Sequence, residues 1–212
     1  MPPVAGQGLR ELKKARTRRL IADAAARLFA ERGYEHVAVS DVARAAEVSE
    51  QTVYNYFVTK EQLVTDRDQQ VQDQLVGLIR ARPPGVSAAA AIREYVLASV
   101  DSIATISPEI WRGELGYLAV MSPTVHRLSL EMTDRQAAAI AAAISDTTPV
   151  LREVATLQGI AIASVFQIIF NYAGRRTHEG RSQVEIANEL HPMIDAVLDE
   201  LDRWLSLSQH PS

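Results

Sequence analysis

Apolar residues recur at helical spacing along most of the chain. Strand-like alternation never lasts beyond a few residues, and no Asn-Gly or Asp-Gly hairpin turn occurs, so the pattern predicts an all-α fold of about nine helices. The first firm helix is expected from about Lys13 to Arg32, with Ile21, Ala25, Leu28 and Phe29 on one face and Gly33 at its end. Residues 1–9 show no such pattern and are expected to be disordered. Two short amphipathic helices then follow between residues 40 and 60. Ser40 is an N-cap candidate for the first, ahead of Val42, Ala43 and Ala46; Ser49 is one for the second, which turns Val53 and Phe57 inward. Thr59 and Gln62 form a capping box for a helix expected to run to about Arg82, roughly 30 Å long, where Arg-Pro-Pro-Gly ends it.

Farther on, Ser107-Pro108, Ser122-Pro123 and Thr148-Pro149 each set a hydroxyl before a proline, and Ser182 with Glu185 makes a further capping box. These predict helices at about 87–105, 108–121, 123–146, 149–177 and 183–206. In the last of these, Ile194, Val197, Leu198 and Leu201 belong to a wide apolar stripe, and Ile162 and Val165 extend such a stripe on the helix before it. Two such helices from each subunit would close a four-helix bundle, which makes these six residues the candidate homodimer interface. Pro192 is expected to kink the last helix. The uncharged run Val154–Gly174 has the length of a membrane span, but Gln158, Ser164, Gln167 and Asn171 interrupt it, so no membrane is expected as a partner.

Composition changes this picture at one end of the molecule. The net charge is -4, yet residues 1–60 hold ten Lys or Arg against seven Asp or Glu, and the acidic excess lies beyond them. Arg10, Lys13, Lys14, Arg16, Arg18 and Arg19 cluster before and within the first helix, as an arm for a phosphate backbone would. The polar residues left outside on the second short helix fit the same partner. Gln51 and Asn55 can pair with adenine, Thr52 can contact bases, Glu50 can accept hydrogen bonds, and the hydroxyls of Ser40, Tyr54 and Tyr56 and the Lys60 ammonium can reach phosphates.

There is no cysteine, so disulfides, iron-sulfur clusters and thiolate zinc sites are excluded. His36, His126, His178, His191 and His210 stand apart from one another, without metal-ligand spacing, and no Gly-rich phosphate loop occurs. No catalytic residue, metal site or cofactor is therefore expected. The start of the chain lacks the apolar core of a signal peptide, which points to the cytoplasm.

From Arg18 to about Val64, RRLIADAAARLFAERGYEHVAVSDVARAAEVSEQTVYNYFVTKEQLV resembles the TetR family of transcriptional regulators, matching its I-x-x-A-A-x-x-L-F-x-x-x-G-Y, V-x-D-V-A-x-A-A-x-V-S and T-V-Y-x-Y-F-x-x-K-E-x-L segments without gaps. One departure is Glu47, where the family commonly has glycine at a left-handed turn position, a cost of roughly 1 kcal/mol. The resemblance implies a three-helix DNA-binding head, residues 1–60, and a ligand-binding and dimerisation domain, residues 61–212. It implies a repressor that binds near-palindromic double-stranded operator DNA as a homodimer and is released by a small, largely apolar effector. That effector would sit among Trp111, Glu114, Leu115, Leu118, Met121, Phe166, Phe170 and Asn171. The alternative is an all-helical small-molecule-binding protein or enzyme whose helix-turn-helix serves protein contacts.

Overall fold

The computed structural model describes residues 5–66 and 68–207, with side chains for 10–66 and 69–207. Among the described residues there are ten α-helices and no strand. They are α1 (Ala5–Arg32), α2 (Val39–Ala45), α3 (Glu50–Tyr56), α4 (Asp68–Ala81), α5 (Ala88–Ser102), α6 (Pro108–Trp111), α7 (Leu115–Met121), α8 (Pro123–Thr147), α9 (Arg152–His178) and α10 (Gln183–Leu207), with 3-10 turns at Glu61–Leu63 and Ile103–Thr105. Of the stretch expected to be disordered, residues 1–4 lie outside the described residues, and helix α1 is already formed from Ala5.

The chain forms two units. The first holds the residues up to Asp66 together with Ser107–Glu114; the second holds 67–106 and the chain from Leu115 onward. The first unit therefore extends past residue 60, because Leu63 is buried in the 3-10 turn that packs on α1. It also recruits α6 from far along the chain. Trp111 is buried there, and just beyond it the backbone lies so close to α1 that a Cβ on Gly113 would stand 1.9 Å from the Ala26 carbonyl oxygen. Ile21, Ala25 and Phe29 of α1, Val42 of α2, and Val53 and Phe57 at α3 complete this core.

The second unit is a helical bundle. α9 packs on α7, α8 and α10, α5 lies along α10, and α4 lies against α8. Leu75, Ile79, Ile92, Val96, Ile140, Ile144, Ile162, Ile186, Leu190 and Leu198 have no exposed surface or almost none. By length and composition α9 is long and apolar enough to cross a membrane, and 44% of its most apolar window is buried within the protein.

Local chemistry explains where the elements depart from expectation. The helix expected from Thr59 is broken: Gln62 Oε1 accepts from the Val58 amide at 2.7 Å, one residue earlier than a Thr59 cap requires, and α4 begins only at Asp68. The stretch 108–121 is likewise two helices, α6 and α7, separated by Arg112–Glu114. Of the three hydroxyl-proline pairs, only Ser122 acts as a side-chain cap, accepting from the Val125 amide at 3.1 Å. The Thr148 hydroxyl instead accepts from Arg82 at 2.5 Å, and α9 starts at Arg152 behind Leu151. The box opening α10 forms as expected: the Ser182 amide donates to Glu185 at 2.9 Å and the Glu185 amide to Ser182 Oγ at 3.3 Å.

Candidate nucleic-acid interface

Helix α2 is capped without Ser40. Ala38 is its N-cap, the Asp41 carboxylate reaches back to the Ala38 amide at 3.1 Å, and Ser40 lies half-buried inside the first turn. That bond, followed by the Arg44 guanidinium, holds the Asp41 carboxyl below its ordinary range. The helix closes with both bonds of a Schellman motif, Val48 N to Ala43 O at 2.9 Å and Glu47 N to Arg44 O at 3.2 Å. This places Glu47 in the left-handed region, with φ at 53°.

Ser49 then opens α3 by accepting from the Thr52 amide at 3.0 Å. With Val53 and Phe57 committed to the core, Glu50, Gln51, Tyr54 and Asn55 are exposed and Thr52 and Tyr56 half-exposed. The face is partly preorganised. Gln51 Nε2 donates to Asn55 Oδ1 at 3.2 Å, and the Ser49 and Thr52 hydroxyls share a bond of 2.8 Å.

Lys60 is held at the edge of this face. Its ammonium donates to the Tyr34 carbonyl at 2.6 Å and stands 4.2 Å from the centre of the Tyr34 ring, and partial burial lowers its pKa. At least one of its three N–H donors is thus used inside the head. The Tyr34 ring is buried against Phe29, and its hydroxyl has no hydrogen-bond partner. Burial first, then the charges of Glu61 and Glu35, push its pKa up to about 12.

The basic arm is not uniform. Arg10, Lys13, Lys14 and Arg16 are exposed, and no ion pair forms at these four among the described residues. Arg19 stands 3.9 Å from Asp23, whereas Arg18 is fully engaged inside the head. Arg44, exposed at the end of α2 and paired with Asp41 at 3.1 Å, is a further cation of the head that sequence reasoning did not single out. Its position in the last turn of α2 was the available signal.

The residues expected around an effector divide between the two units. Trp111 and Glu114 belong to the first unit, while Leu115, Leu118, Met121, Phe166, Phe170 and Asn171 belong to the bundle. There, α7 and α9 cross without a gap: a Cβ on Gly116 would lie 3.2 Å from the Phe170 carbonyl oxygen. Leu115, Leu118 and Phe166 are buried, Met121 is 51% exposed, and Asn171 accepts from Gln167 at 3.2 Å. A groove of about 720 Å³ instead runs along α8 and α9, floored by Ala137, Ala138 and Ala141 and flanked by Asp134, Arg152 and Ile160.

The expected interface residues need a correction as well. Ile162, Val165, Ile194 and Leu198 are at most 1% exposed within the single chain, so a second copy cannot touch them. Val197 and Leu201 are half-buried. The apolar residues that α9 and α10 do expose include Leu157, Ile160, Ile168 and Met193.

Residues 21–66 match the family described as bacterial regulatory proteins, tetR family. Over 80 residues the chain is 34% identical to the HTH-type transcriptional regulator TcmR of Streptomyces glaucescens, an alignment spanning 38% of this chain and 35% of that protein. Its fold is similar to that of NalD, the secondary repressor of the MexAB-OprM multidrug efflux pump in Pseudomonas aeruginosa (TM-score 0.54, 19% identity, 86% of this chain and 97% of that one). It is also similar to a TetR-family transcriptional regulator of Mesorhizobium loti (TM-score 0.50, 21% identity, 88% and 96%).

Proposed function

We propose that this chain, which belongs to the TetR family of bacterial regulatory proteins through its head, is a cytoplasmic transcriptional regulator: a homodimeric repressor that binds a near-palindromic operator and is released by a small, largely apolar ligand. The outer face of α3 carries the reading. Gln51, Thr52 and Asn55 with Tyr54 are solvent-facing on a helix whose inner face is already used, and a merely structural helix has no need of that set. The rival reading, a binding protein or enzyme with an incidental helix-turn-helix, is not favoured, since both sequence matches are to regulators.

In the proposed complex Gln51, Thr52 and Asn55 face base edges, with Glu50 accepting from a cytosine amine, while Ser40, Tyr54, Tyr56 and Lys60 meet phosphates. The Gln51–Asn55 bond exchanges for bonds to bases. A single recognition helix makes too few base contacts to select a site in a genome, so two are required, about 34 to 36 Å apart on one face of the duplex. Leu157, Ile160, Ile168 and Met193 are the exposed apolar positions a second copy would cover.

A gel shift against the DNA upstream of the gene tests the reading. Wild type is expected to bind, and the Asn55→Ala, Lys60→Ala double variant to lose roughly 1 to 3 kcal/mol for the base contact and about one unit of salt slope for the phosphate. Full affinity in the double variant removes α3 as the DNA-reading element. Release by an effector obeys linkage. A hundredfold preference for the DNA-free protein, about 2.7 kcal/mol, requires that operator DNA weaken effector binding by the same hundredfold.

A further inference from the structure

We propose that Arg18, Asp66 and the Tyr56 carbonyl form a clamp that fixes the exit of the recognition helix, which makes Arg18 a positioning residue for DNA reading and not a phosphate contact of the basic arm. This rests on α3 being the DNA-reading element. Arg18 Nε and Nη2 approach Asp66 Oδ1 at 2.6 and 2.5 Å, and Nη1 donates to the Tyr56 carbonyl at 2.7 Å. The guanidinium carbon lies 4.5 Å from the centre of the buried Phe57 ring, so one face of the cation is covered as well.

α3 needs an outside tie at this end. It has seven residues, too few to be stable alone, and no basic residue in its last turn to meet the partial negative charge of its terminal carbonyls. Arg18 supplies that charge from α1, and Asp66, 16% exposed, holds the guanidinium in the one orientation that serves both. The clamp joins the helix carrying the basic arm to the end of the helix carrying Gln51 and Asn55. It therefore sets the register in which phosphates and bases are met together.

The sign of a charge change separates this from simple electrostatics. Removing a carboxylate near a bound polyanion strengthens binding if charge alone matters, whereas the clamp requires that it weaken. The test uses a short duplex selected by the wild-type protein from a random-sequence pool, with affinity measured over a range of salt. Asp66→Asn and the charge-conserving Arg18→Lys are each expected to weaken binding by at least about tenfold with the salt slope unchanged. Lys14→Ala in the exposed arm is expected to lower the slope by about one unit per phosphate lost. Circular dichroism and, in a Trp204→Phe background, Trp111 emission establish that the head is folded; should Asp66→Asn not fold, Arg18→Lys decides alone. A wild type that selects no duplex overturns the DNA reading and the clamp's role with it. A wild type that binds, beside an Asp66→Asn or a folded Arg18→Lys variant that binds equally well or better, overturns the clamp and leaves the DNA reading standing.

Discussion

Tyr34→Phe removes one oxygen from the core of the head, and the structure predicts a gain in stability. The ring is 4% exposed and its hydroxyl is without a hydrogen-bond partner. A buried polar group left unpaired costs about 1 to 3 kcal/mol. Against this stands the void left by the oxygen: at about 24 cal/mol per Å³, a space of roughly 10 to 15 Å³ costs about 0.3 kcal/mol. The contacts with Phe29 and with the Lys60 ammonium, 5.2 and 4.2 Å from the Tyr34 ring centre, survive because they use the ring. The net expectation is about 1 kcal/mol of added stability, with DNA affinity unchanged. The chain has two tryptophans, and Trp111 lies in the head unit; in a Trp204→Phe background its emission follows that unit alone. With a urea dependence of about 2 kcal/mol per molar, the midpoint should rise by about 0.5 M. The alkaline limb gives a second reading of the same group. Because burial raises the folded pKa to about 12 from an ordinary 10.0, ionising the phenol costs the folded state: stability does not depend on this group below pH 10 and falls as pH rises toward 12. Tyr34→Phe should lack that loss, and the difference between the two proteins cancels the contribution of Lys60. An unchanged or lowered urea midpoint refutes the reasoning, since it means that the hydroxyl is paired.

Three further outcomes are expected. Glu47→Gly relieves a side chain held at φ 53° and should stabilise the head by about 0.5 to 1 kcal/mol, read as a higher urea midpoint in the same background; a loss would mean that the glutamate makes a compensating contact. Gly174→Ala places a Cβ 2.1 Å from the Gly116 carbonyl oxygen, so α7 and α9 must separate; a loss of about 1 to 3 kcal/mol in bundle stability is expected despite alanine's better helix propensity, and a neutral result would show that the crossing yields freely. Glu189, hydrogen-bonded by Arg176 and Tyr172, has its pKa lowered to about 2, so its contribution is full above pH 4.5 and fades as pH falls toward 2. Glu189→Gln should therefore be less stable at neutral pH and show a flatter acid limb in thermal melts; parallel acid limbs would contradict this.

Much of the head was legible because its decisive interactions are local. Ser49 with Thr52, the inward pair Val53 and Phe57, and the left-handed turn at Glu47 all lie within a few residues of one another. What sequence could not show there depends on contacts across long separations. Arg18 sits among five other cations and has the same composition-level signature as Lys14, yet its partners are 38 and 48 residues away. With Thr59 as the expected cap, Lys60 would lie in the first turn of a long helix. Instead it stands ahead of a 3-10 turn and bonds the Tyr34 carbonyl, 26 residues earlier.

The bundle was legible as helices but not as surfaces, and α9 shows why. Apolar spacing identifies a covered face without saying what covers it. Ile162 and Val165 and the exposed Leu157, Ile160 and Ile168 occur in one uncharged run, and the spacing alone assigned the first pair to a partner. The structure gives that pair to the chain's own core. It leaves Leu157, Ile160 and Ile168 on a helix face that carries no charge between Val154 and Gly174, unlike the outward face of α8, where Arg127, Glu131 and Asp134 recur. An ordinary solvated helix face is charged, and this one is not, which is the physical reason for placing the proposed dimer contact there. Replacing Leu157 and Ile160 by Glu would then set like charges against each other and yield monomers in sedimentation, with helix content intact. A dimer that persists in that variant moves the contact off this face of α9.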